Sequence, residues 1–135
     1  MRKVLGWSIG LLLAVVVGVF ALQVVASETG EVVVLHTIAD GAESTTRLWV
    51  VELDGSLWLR SGGGDSGWYA RLAAEPRVQL ERHGATQSYV AEPESSRRDE
   101  INALMAEKYG WRDRVIGVLV GGRDSAIPVR LRPAG

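Results

Sequence analysis

The sequence predicts an α+β protein: six short antiparallel strands closing into a small barrel, helices packed outside, and one N-terminal transmembrane helix. Three observations carry this. Asp54-Gly55 and His83-Gly84 each join two runs of strand character, as tight hairpins do. The hydrophobic period changes from two to about 3.6 only after Pro93, so the longer helices come late in the chain. Residues 4–26 carry no charge, a length that crosses a bilayer core of ~30 Å at ~1.5 Å per residue.

The elements follow in order. Residues 31–38 are rich in β-branched side chains and read as a buried strand. Residues 39–44 form a turn, and residues 45–53 a second strand that meets a third, 56–61, across Asp54-Gly55. Residues 68–75 make one or two helical turns stopped by Pro76. The runs on either side of His83-Gly84 form the next hairpin, with Val78 and Leu80 facing one way and Gln79 and Glu81 the other. Ser96 is placed to cap a helix, with Asp99 and Glu100 at the positive end of its dipole. Ile101, Leu104, Met105 and Tyr109 form its apolar stripe, and Gly110 breaks it. Residues 111–120 continue as a second helical segment. Residues 126–132 close the domain as a strand, where Pro128 suits an edge.

Arg2 and Lys3 precede the apolar run, and Glu28 and Glu31 follow it. The positive side stays in the cytoplasm, so the domain is expected outside the inner membrane, single-pass. A cleaved signal peptide is the competing reading, with residues 24–26 as an acceptable cleavage site. The run is longer than the usual signal core of ~7–15 residues, which favours a retained anchor in lipid. Gly6, Gly10, Ala14 and Gly18 lie at i+4 spacing, a stripe that lets a partner helix or a second copy approach closely. The expected division is an anchor over 1–26, a lead-in with the first strand over 27–36, and the barrel domain over 37–135.

Composition excludes several chemistries. There is no cysteine, hence no disulfide framework and no thiol nucleophile. A formal net charge of −1 leaves no basic nucleic-acid footprint. Two histidines without helical ligand spacing give no zinc motif. No nucleophile elbow, Walker or dinucleotide fingerprint occurs. What remains is an anion site. Arg47 and Arg60 lie on neighbouring hairpin strands. Ser61, Gly62 and Gly63 offer a hydroxyl and unhindered N–H groups as a nest. Trp68 and Tyr69 supply flat surfaces for a ring or, equally, for the core. A glycine-rich connector without a ligand is the plainer alternative.

The series Ser61-Gly62-Gly63-Gly64, Trp68-Tyr69 and Glu75-Pro76-Arg77-Val78 resembles the loop, aromatic helix and strand entry of the deazaflavin-dependent nitroreductase and quinone reductase family. Residues 47–64 resemble the paired strands of that family, and residues 107–133 its last helix and closing strand. The resemblance implies a split β-barrel related to the flavin-binding pyridoxamine-phosphate oxidases. It implies the cofactor F420 or FMN and reduction of a quinone or nitro-type acceptor. Arg47 and Ser61 match positions that contact the cofactor's phosphate-bearing tail; Trp68 and Tyr109 match positions bordering the ring or substrate. Where the family has cations before that arginine, this chain has Asp40 and Glu43. The alternative is therefore a non-catalytic accessory subunit of a membrane complex that keeps the fold and has lost the cofactor.

Overall fold

The computed structural model describes residues 2–28, 30–64, 66–119 and 122–134, with side chains of the first helix described over residues 6–22. Twelve elements occur among the described residues. They are α1 (Arg2–Glu28), β1 (Val32–Ala39), β2 (Ala42–Trp49), β3 (Val51–Leu53), β4 (Ser56–Ser61), α2 (Gly67–Ala74), β5 (Arg77–Arg82), β6 (Ala85–Pro93), a 3-10 turn (Ser95–Arg97), α3 (Arg98–Tyr109), α4 (Trp111–Leu119) and β7 (Ile127–Pro133). The strands form one antiparallel sheet in the order β2-β1-β5-β6-β7-β4-β3, curled into a half-barrel.

The expected strand count is corrected from six to seven. The run over 45–53 divides at Val50, whose N–H donates to Tyr109 Oη at 3.0 Å. Its carbonyl accepts from Lys108 Nζ at 2.7 Å. With both backbone groups taken by α3, Val50 leaves the ladder, and β2 and β3 end up at opposite edges of the sheet.

The transmembrane helix is corrected as well. Among the described residues no helix is long and apolar enough to cross a membrane. The expected anchor, its lipid contact over residues 4–26 and the inner-membrane, single-pass placement lose their support with it. α1 packs on α4. Among the described residues, a Cβ at Gly6, Gly10 or Gly18 would meet no atom within 4 Å beyond the helix's own nearby backbone.

The hairpin turns are local chemistry. Asp40-Gly41, Asp54-Gly55 and His83-Gly84 all have positive φ at both residues, from 52° to 76°, the conformation that matches the twist of paired strands. β5 alternates as expected, with Val78 and Leu80 buried. They join Val33, Leu35, Leu59, Trp68, Leu72, Val129 and Leu131 inside the half-barrel. A second cluster lies on the sheet's other face, where Val51 and Trp58 meet Ile101, Met105 and Tyr109 of α3. Ser96 falls in the 3-10 turn, and Arg97 occupies the cap position of α3. Pro128 sits in an interior strand, between β4 and β6. Its carbonyl accepts from Glu94 N, so its missing N–H faces the same side, where β6 has just ended at Pro93 and no bond is lost.

Candidate functional site: an arginine pocket outside the half-barrel

Adjacent residues of a strand face opposite ways. On β4, Leu57, Leu59 and Ser61 point into the half-barrel, and Trp58 and Arg60 point out toward α3 and α4. Arg60 Nη1 donates to Asn102 Oδ1 of α3 at 3.2 Å. Its Nη2 donates to Asp113 Oδ1 of α4 at 2.5 Å. Arg123, in the turn between α4 and β7, donates from Nη2 to the same Asp113 oxygen at 3.0 Å. Arg60 and Asp113 are 4% and 9% exposed at the side chain.

These groups wall a pocket of about 160 Å³ lined by Arg47, Leu48, Trp49, Arg60, Met105, Ile116 and Arg123. Three lining residues are cations, and the carboxylate that bonds two of them is Asp113. Arg123 Nε is buried without a hydrogen-bond partner. Burial, and then the neighbouring Arg60 charge, push the Arg123 guanidinium below its ordinary range, with Asp113 opposing them. Two guanidiniums therefore share one carboxylate oxygen in a place that water screens poorly. An entering anion would relieve that repulsion.

The structure distributes the sequence-derived candidates over both faces of the sheet. Arg47 and Arg60 come together in the pocket. Ser61 is fully buried on the inner side. Its Oγ donates to the Gly63 carbonyl at 2.5 Å, lies 2.7 Å from Ser66 Oγ, and accepts the Gly63 N–H at 3.3 Å. The Gly62 carbonyl accepts from Ser125 Oγ. The loop thus spends its Gly63 N–H on its own closure. Trp68 is inner core, and Tyr69 packs half-buried against it. Tyr109 is buried under α3, stacked on Trp49 at 4.2 Å between ring centroids. Glu43 lies away from the pocket, paired with His36 Nδ1 at 2.9 Å. Arg71, on α2, bonds Thr37 and Thr46.

Sequence reasoning missed Asn102, Asp113 and Arg123. For Arg60 and Ser61 the signal was available: neighbours on one strand cannot both face one site. For Asp113 and Arg123 it was not, because 53 and 63 positions separate them from Arg60 and only the packing of α4 joins them.

The family described as "Uncharacterized protein conserved in bacteria (DUF2255)" matches residues 22–131. The chain belongs to that family. No curated protein matches it. Among solved structures, a Listeria innocua protein provisionally assigned as a pyridoxamine 5'-phosphate oxidase is 14% identical with a TM-score of 0.59. That match covers 87% of this chain and 92% of the other. An F420-H2 dependent reductase, FDR-A, is 21% identical with a TM-score of 0.57, over 73% of this chain and 92% of the other. HutZ, the heme storage protein of Vibrio cholerae, is 16% identical with a TM-score of 0.60, over 82% and 86%. At these identities the likeness establishes the fold alone: this DUF2255 chain shares the split β-barrel of those structures.

Proposed function

We propose that this DUF2255 protein binds a phosphate-bearing redox cofactor of the flavin class, deazaflavin or FMN, and serves reduction of a quinone or nitro-type acceptor. The supporting observation is the pocket lined by Arg47, Arg60 and Arg123, the last two bonded to one Asp113 oxygen, with Arg123 Nε buried and unbonded. Arg60 and Arg123 would hold the anionic end of the cofactor, Arg47 would close over it, and Asp113 would keep the first two aligned. The fit extends to that end alone. About 160 Å³ is well below the ~300 Å³ at which whole-ligand pockets begin. Bound there, a flavin or deazaflavin supplies hydride transfer, and the chain supplies position and charge.

The closed Ser61 loop favours a second reading, a non-catalytic split-barrel subunit whose pocket takes an anion and no ring. Titration with FMN and with F420, followed by tryptophan fluorescence and cofactor absorbance, tests the first. Saturable quenching by either, weakened by Arg47→Ala, is expected. No response to both overturns the cofactor reading. Binding without oxidation of the reduced cofactor by a soluble quinone leaves the non-catalytic one standing.

A further inference from the structure

We propose that Asn102 is the positioning residue of the arginine pocket: its side-chain amide fixes Arg60 and Arg123 relative to each other. The observation is a closed ring of hydrogen bonds. Asn102 Oδ1 accepts from Arg60 Nη1 at 3.2 Å, and Asn102 Nδ2 donates to the Arg123 carbonyl at 3.3 Å. On the far side Asp113 Oδ1 accepts from Nη2 of both arginines. The orientation of the amide follows from its partners, since a guanidinium only donates and a carbonyl only accepts. A carboxylate at this position would lack the donor, and an ammonium would lack the acceptor.

Asn102 is absent from the described pocket walls, so it acts through the residues that form them. It lies one turn before Met105, which does line the pocket. Arg60 stands on a strand paired along its length with β7. Arg123 stands in a turn whose Gly122, Asp124 and Ser125 are exposed. Among the described residues its guanidinium bonds through Nη2 alone, and its Nε lies against α4, 3.6 Å from where a Cβ of Gly117 would stand. A long side chain held at one nitrogen goes where its backbone puts it. The Arg123 carbonyl also accepts from Ala126 N, but that bond stays within the turn. The Asn102 bond ties the residue to α3 and, through the same amide, to Arg60. The consequence for ligands rests on the anion-site reading above: two guanidiniums already held in place bind an anion without the cost of ordering them first.

Nuclear magnetic resonance of the arginine Nε–H groups in the full chain tests this, with inorganic phosphate added at constant ionic strength. Asn102→Ala is expected to shift the signals of both Arg60 and Arg123 before any phosphate is present. It should then weaken phosphate binding about tenfold. In an Arg123→Gln background the same substitution should weaken it about twofold or less, because the pair that the amide aligns is already gone. A loss of stability alone would move neither the signals nor the affinity of the folded protein, and circular dichroism checks that each variant folds. Unmoved arginine signals in Asn102→Ala overturn the proposal. So does equal weakening in both backgrounds, since the amide would then act without Arg123. Shifted signals with unchanged phosphate affinity overturn its role in binding. A wild type that binds no phosphate defeats the anion-site reading, and the arginine signals then decide by themselves whether Asn102 holds the pair.

Discussion

Tyr109 Oη accepts the N–H of Val50 at 3.0 Å and donates to the Glu31 carbonyl at 2.6 Å. One buried hydroxyl on α3 thereby fixes two distant backbone points: the break between β2 and β3, and the entry into β1. Lys108 adds a bond to the Val50 carbonyl and another to the Glu31 carboxylate. Trp49, stacked on the Tyr109 ring, is a wall of the arginine pocket. The strand break and the pocket's shape therefore depend on the same side chain.

Tyr109→Phe keeps the ring and its stacking and removes the hydroxyl. It leaves the buried Val50 N–H without its acceptor, which costs about 1–3 kcal/mol. Urea unfolding of the two proteins measures this. Burial, with a smaller contribution from the Glu31 charge, pushes the Tyr109 hydroxyl up from 10 to about 12. The folded state then holds this proton more tightly than the unfolded state. The stability it confers is complete below pH 10 and falls away as pH rises through about 12. The variant should lose that part of the alkaline slope.

Glu31 gives the opposite slope. Its hydrogen bond to Arg82 holds it down from 4.5 to about 2, against a smaller effect of burial and with help from Lys108. A depressed carboxylate stabilises above its unfolded value and stops doing so as pH falls. The expected loss runs from about pH 4.5 to about pH 2. Glu31→Gln should flatten that limb. The size is modest because the side chain is 24% exposed and solvent-screened pairs contribute little. Stability measured as a function of pH for both proteins tests it; identical acid limbs would remove Glu31 from the account.

Local chemistry made much of this fold legible. Asp54-Gly55 and His83-Gly84 specify their turns whatever surrounds them, and the alternation of β5 assigns Val78 and Leu80 to the core by itself. The helical stripe put Ile101, Met105 and Tyr109 inside. What failed depends on partners far along the chain. Nothing near Val50 announces a strand break, because the groups that cause it stand nearly 60 positions away. Pro128 looks like an edge residue until the end of β6 is known. Arg60 was legible as a candidate, and its partners were not, since α4 reaches it only after the half-barrel has formed.

Gly30→Ala should destabilise by more than the about 1–2 kcal/mol of its backbone conformation alone, for two reasons that add. Gly30 has φ +86°, a conformation that costs a residue with a Cβ about 1–2 kcal/mol. A Cβ would also stand 3.1 Å from Tyr109 Cδ1, pressing on the ring that stacks against Trp49. Gly41→Ala is the comparison, with φ +76° and no atom within 4 Å. Thermal unfolding should rank Gly30→Ala below it, and a shifted tryptophan emission should accompany Gly30→Ala alone.

Asp113→Ala tests the pocket through stability. Removing one member of a buried ion pair strands the other, at about 3–5 kcal/mol. Here two guanidiniums lose the carboxylate, and among the described residues Arg60 keeps Asn102 as a partner. A large loss is expected in urea unfolding without added anion. A ligand bound only by the folded state then returns stability as RT ln(1 + [L]/Kd). Millimolar phosphate should therefore raise the midpoint of the variant more than that of the wild type, because the anion takes the place of the lost carboxylate between Arg60 and Arg123. Sodium chloride at matched ionic strength controls for screening. Equal gains from phosphate and chloride would mean that the arginines see ionic atmosphere rather than a bound anion, and the pocket would lose its claim to be a site.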